Sequence, residues 1–249
     1  MSSLPLSDTA ASGATRRGES TELAVPSGAI FDWLLPLAVT GMIAAYTRAI
    51  FFTPAEAAQG LAQKIYYVHV PAAITAYLAL GIVAVMSIVY LWLRDARADR
   101  LAESAGEVGF VFLSAVLVTG PLWGKPVWGT WWTWDMRLTL TLFLWFLTAG
   151  YLVLRGALDE PALRARYSAV LGILAVLLIP FIHLSVYLFR TLHPMPIVLK
   201  PERPSLPNEM LITFLSFVAA CVMLCLALVR ARYRYGVVRD ALRAMESDT

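Results

Sequence analysis

The sequence predicts an all-α integral membrane protein, a six-helix transmembrane bundle that carries a tryptophan-rich loop on its outer (in a bacterium, periplasmic) face. Three observations lead there. Of 249 residues, 59% are hydrophobic and only 15% charged, against roughly 25% charged in an ordinary soluble domain. Six apolar runs approach or exceed the ~20 residues that a helix needs to cross ~30 Å of hydrocarbon. Five of the eight tryptophans crowd into one short segment between two of those runs. The net charge of +3 is scattered rather than gathered into a patch, which excludes nucleic acid as a partner class.

Residues 1–27 are rich in Ser, Ala, Gly and Thr and have no apolar core of the kind a signal peptide requires. They read as a disordered cytoplasmic tail. Arg16 and Arg17 do not make a twin-arginine export signal, because Gly18, Glu19 and Ser20 follow where an apolar run is needed. The spans fall at about 28–52, 68–93, 108–122, 138–154, 167–189 and 209–229. The third is short and closes on Gly120 and Pro121, after which the chain turns aromatic rather than polar. The fifth contains Pro180, which removes a backbone hydrogen bond and predicts a kink. Residues 28–230 thus form one membrane domain, and 231–249 read as a basic cytoplasmic tail.

Orientation follows from the Lys and Arg count, since cytoplasmic segments carry the excess. The two tails and the loops after the second and fourth spans hold thirteen; the other three loops hold seven. Both termini are therefore expected in the cytoplasm, with the loops after the first, third and fifth spans outside. The inner loops, such as 94–107, read as solvated connectors with no chemistry of their own.

Trp123, Trp128, Trp131, Trp132 and Trp134 lie within 12 residues of the outer loop, interleaved with Gly124, Pro126 and Gly129. An interfacial aromatic belt is the plain alternative, and Trp33 and Trp92 at inner helix ends fit it. Five indoles in one segment are too dense for anchoring alone. A short interfacial helix here would put Trp128, Trp131, Trp132 and Asp135 on one face at i, i+3, i+4, i+7 spacing. Such a shelf suits a large, flat, apolar ligand. Haem is one, and it adds an iron that takes imidazole and propionates that take cations.

The topology places all three histidines toward the same face. His69 opens the second span and His193 follows the fifth in its loop, so they come from separate segments, as an axial pair on opposite faces of a ring requires. His183 lies inside the fifth span, where an unbonded imidazole is expensive; it reads as a hydrogen-bonding or supporting residue and as a fallback iron ligand. Lys64, Lys125, Arg137 and Arg190 are the outer cations available to propionates, each alternatively a snorkelling residue. Asp135 would orient a Trp N–H or a cation. Cys221 and Cys225 lack CxxC spacing and read as packing residues.

The run WGKPVWGTWWTWDMR from Trp123 to Arg137 resembles the tryptophan-rich motif of the haem-handling membrane proteins of cytochrome c biogenesis. Together with chain length, six spans, YYVHVPAA around His69 and RTLHP at His193, it is similar to the haem exporter protein C family, the C component of the cytochrome c maturation system. Tyr187 and Phe189 stand where that family often has tryptophans. The resemblance implies that haem b is held at the periplasmic edge of the inner membrane, with His69 and His193 as axial ligands. The loop tryptophans and Asp135 would form its platform, and Lys64 and Arg137 would lie nearby. It further implies non-enzymatic delivery to a periplasmic haem chaperone, the E component, with an ATP-hydrolysing A and B pair and a small D subunit as partners. A membrane electron-transfer subunit would instead hold haem between facing helices inside the bilayer. A small-solute permease would show broken, repeated halves with polar midplanes.

Overall fold

The computed structural model describes residues 33–189, 191–198, 200 and 203–247. The 1–27 tail, the first residues of the first predicted span and Arg190 lie outside them. Among the described residues the chain is helical, with six helical segments long and apolar enough to cross a membrane.

Helix α1 (Leu34–Thr47) runs into a single π turn, Arg48–Phe52. A 3₁₀ turn, Leu61–Ile65, leads into α2 (Tyr66–Leu93), which stops where Arg94 adopts φ 56° and donates its N–H to the Tyr90 carbonyl. The Asp95 carboxylate then caps α3 (Ala96–Trp128) by accepting from the Arg97 N–H at 2.8 Å. Helix α3 is far longer than the third apolar run. It begins in the polar 94–107 stretch and passes through Gly120, Pro121 and Pro126 before Gly129, at φ 77°, ends it.

Asp135 caps α4 (Met136–Ala157), accepting the Leu138 N–H at 2.9 Å. Glu160 and Pro161 together start α5 (Pro161–Val176). The expected break near Pro180 is present: the chain turns at Leu177 and resumes as α6 (Leu178–Leu188). Helix α7 (Asn208–Ser247) is continuous, so residues 231–247 are helical.

Helix α2 lies at the centre, packed on α3, α5 and α7, while α1 packs on α7 and α6 rests mainly on α4. Small residues set these distances. A Cβ on Gly109 would come within 3.3 Å of Ala79, one on Gly106 within 2.7 Å of the Tyr151 ring, and one on Gly172 within 2.8 Å of Val83. Lipid supplies little hydrophobic drive between helices, so close van der Waals approach of this kind holds them together.

The end of the bundle away from the tryptophans corrects the view of 94–107 as a solvated connector. Its acids lie on the face of α3 that meets α4 and α7. Arg155 is 4% exposed and grips Asp99 through two hydrogen bonds of 2.7 and 2.8 Å, with Glu103 at 3.5 Å. Arg239 binds Glu103 at 2.8 and 2.9 Å, Arg232 binds Glu107, and Arg100 pairs with Asp240 at 2.9 Å. Buried charges are tolerated only when paired in this way.

Candidate functional site

At the opposite end, α2, α3, α4, α6 and residues 193–198 line a cavity of about 380 Å³, within the size range of small-molecule sites. Its wall includes all three histidines, Trp123, Trp128, Trp131, Trp132 and Arg137. The sequence-expected shelf forms by another route. Trp123 and Trp128 ride on the last turns of α3. Gly129 then ends the helix, so Trp131, Trp132 and Trp134 occupy an irregular loop and no interfacial helix carries them.

The tryptophans divide accordingly. Trp123 donates its Nε1–H to Gln59 Oε1 at 3.0 Å and meets the Tyr66 ring edge-on at 5.8 Å. Trp131 is 56% exposed, with the Lys125 ammonium 6.0 Å from its ring, and Trp134 is 76% exposed and outside the cavity wall. Trp132 holds a buried Nε1–H with no hydrogen-bond partner.

The histidines stand at the two ends of a chain of rings. His69 lies 5.8 Å from Trp123, Trp123 lies 6.3 Å from Trp128, and Trp128 lies 5.1 Å from His193. Of the three, His69 has a hydrogen-bond partner for Nδ1, while His193 faces a carboxylate beyond bonding distance. The Thr119 hydroxyl donates its only proton to the Ala115 carbonyl at 2.7 Å, so its oxygen accepts from the His69 Nδ1–H at 2.9 Å. That tautomer leaves the His69 Nε2 lone pair free.

His193 Nδ1 faces Asp135 Oδ2 at 3.6 Å, just beyond hydrogen-bond reach, and is otherwise without a partner. Burial and the nearby Arg137 guanidinium hold the His193 imidazole down to about 4, with Asp135 pulling the other way. It is therefore neutral, a lone-pair donor, at pH 7. Imidazoles oriented from Nδ1 by a hydroxyl or carboxylate are the usual form of metal-binding histidine.

Arg137 is half-buried, lines the same cavity as His69, His183 and His193, and makes no ion pair among the described residues. Asp135, the nearest acid in sequence, is already used by the α4 cap, Thr133 and His193. Lys64 stands apart from the cavity wall and donates to the Ile50 carbonyl at 3.0 Å. His183 lines the cavity without, among the described residues, the hydrogen bond expected of it; the Tyr187 ring lies 6.3 Å away. Thr119, Gln59, Tyr66 and Tyr77 went unremarked in the sequence. The only signal was a polar residue, Thr119, inside an apolar run.

A family model described as Heme exporter protein C matches residues 14–248. The chain belongs to the Heme exporter protein C family. It is 36% identical over 189 residues to the Heme exporter protein C of Haemophilus influenzae, covering 76% of this chain and 77% of the relative. To that of Bradyrhizobium diazoefficiens it is 34% identical over 218 residues, 87% and 82% of the two chains. To that of Escherichia coli K12 it is 36% identical over 178 residues, 69% and 73%. Family membership and six candidate spans make this a multi-pass membrane protein.

Proposed function

We propose that this chain binds haem b at the periplasmic face of a bacterial inner membrane and hands it to a periplasmic haem chaperone for c-type cytochrome maturation. The single observation that carries the reading is one aromatic cavity lined by His69, held at Nδ1 by Thr119, by His193, and by an arginine that makes no ion pair among the described residues. Two imidazoles suit a metal that brings its own equatorial ligands, and the indole walls suit the flat apolar ring around it. Bound haem would supply an iron for the two Nε2 atoms and two carboxylates.

Each group on the wall then has a task. His69 and His193 would hold the iron, with Thr119 fixing the His69 ring plane and Asp135 facing His193. Arg137 takes a propionate by charge-assisted hydrogen bonds, and the unpartnered Trp132 Nε1–H is a further donor at that wall. The exposed Trp131 and Trp134 offer the face on which the chaperone docks. The ATP-hydrolysing A and B pair and the small D subunit complete the assembly that releases it. The chain's own part is binding and presentation; no bond-making step is assigned to it. Thirteen basic residues against seven, with an even number of spans, support cytoplasmic termini.

The decisive experiment is the haem spectrum of the purified chain and of His69→Ala and His193→Ala. Wild type should bind haem with bis-histidine ligation, and each substitution should change the ligation. Unaltered spectra and haem content in both variants would reject the site. For delivery, joint substitution of Trp128, Trp131 and Trp132 should lower transfer to the chaperone; undiminished loading would reduce the loop to a membrane anchor.

A further inference from the structure

The end of the bundle away from the histidines has a cavity of its own, of about 640 Å³, lined by α3, the end of α4, the turn into α5 and the last turns of α7. Arg155, Arg164, Arg239 and Arg243 line it together with Glu103, Glu107 and Asp159. Most of these charges are already spent on one another. Arg155 and Arg239 hold Glu103, Arg155 also holds Asp99, and Glu107 is held by Arg232. The guanidinium groups of Arg164 and Arg243 remain, with no hydrogen bond or ion pair among the described residues. Asp159, five positions before Arg164, pairs with neither. Arg155 also keeps a buried Nε–H without a partner.

Two further observations say what such a pair of cations would take. Arg164 stands at the start of α5, fixed by the Glu160 cap, and Arg243 lies one turn beyond the anchored Arg239 on the same side of α7, so the two line one cleft from different helices. A guanidinium fork fits a tetrahedral oxyanion through parallel hydrogen bonds. The spans Met136–Ala157 and Pro161–Leu188 end and begin at this turn, so the cavity lies where hydrocarbon gives way to water, at the depth of lipid phosphates. Leu152, Gly156 and Leu158 supply an apolar part of the same wall. Basic pockets of this kind between membrane helices take phosphate head groups.

We propose that this cavity binds a phosphate group, held between Arg164 and Arg243, whether carried by an anionic phospholipid or by a soluble ion. Asp159 repels the ligand and limits its affinity. The site is separate from the aromatic cavity and does not depend on haem being bound there.

The test uses the full chain, purified in a neutral detergent and freed of lipid. Phosphatidylglycerol is the lipid probe, with zwitterionic phosphatidylcholine as reference, read by native mass spectrometry; inorganic phosphate is the soluble probe, read by calorimetric titration. Arg164→Gln/Arg243→Gln should weaken binding about tenfold or more, the worth of a charged hydrogen bond, and Asp159→Asn should tighten it. Arg97→Gln, an exposed arginine outside the cavity, should change neither. An unfolding temperature equal to wild type shows that the double variant is folded. Preference for phosphatidylglycerol without phosphate binding assigns the site to lipid, and phosphate binding without that preference assigns it to the soluble ion. Wild type that prefers phosphatidylglycerol no more than phosphatidylcholine and binds no phosphate, or a double variant that binds as Arg97→Gln does, overturns the proposal.

Discussion

Thr119 accepts a hydrogen bond from His69 Nδ1, whereas Asp135 faces His193 Nδ1 at 3.6 Å, and neither residue lines the cavity. Removing the hydroxyl in Thr119→Val should weaken haem binding by about 10–100-fold, the usual cost of losing such a support, whereas Thr119→Ser should largely retain it; a haem titration decides. Gly120 lies against the same imidazole. A Cβ there would sit 3.3 Å from His69 Cε1, so Gly120→Ala should tilt the ring and alter the haem spectrum. His193 sets a pH dependence that can be read without haem. Its folded value near 4 lies below its ordinary 6.5, so between these values the unfolded chain takes up a proton that the folded chain refuses. That contribution therefore destabilises the fold progressively as pH falls from 6.5 to 4, and His193→Gln should flatten the decline. Histidine NMR should place the titration near 4 in wild type and lower still in Asp135→Asn, since Asp135 pulls it upward.

At the scale of elements, the six apolar runs and the break near Pro180 were legible in the sequence, whereas the helix starts extend into polar stretches that hydropathy alone leaves outside the spans. Asp95, Asp135 and Glu160 cap helices a few residues away, and Pro180 accompanies the turn at Leu177. The ion-pair cluster was not legible, because Arg155 meets Asp99 across 56 positions and Arg239 meets Glu103 across 136. Acids at 99, 103 and 107 look like a solvated face until the partner helices are in place. Arg155→Met leaves Asp99 without its partner in a buried setting and should cost about 3–5 kcal/mol. Unfolding in detergent should register that loss, with partial recovery in Arg155→Met/Asp99→Asn. Gly106→Ala drives a methyl against Tyr151 at 2.7 Å and should cost about 1–3 kcal/mol on the same assay.

Taken whole, the molecule has two unlike ends. The site was legible in the sequence to the extent that rare residue types flagged it: three histidines and five clustered tryptophans on one face. What the sequence could not give was which of them meet, because Trp134 and Lys64 fall away from the cavity while Gln59 enters it from the turn before α2 and Tyr77 from two turns past His69 along α2. A reporter fused after Thr249 should be active only in the cytoplasm if the charge asymmetry sets the orientation. The guanidinium–carboxylate contacts at the far end have one more effect. They pin α3, α4 and α7 together, and from Glu103 to Gly120 the axis of α3 runs about 25 Å. Any tilt about that fulcrum would move the rim more than the base, so the proposed haem site would have its play at the histidines and its rivets at the far end.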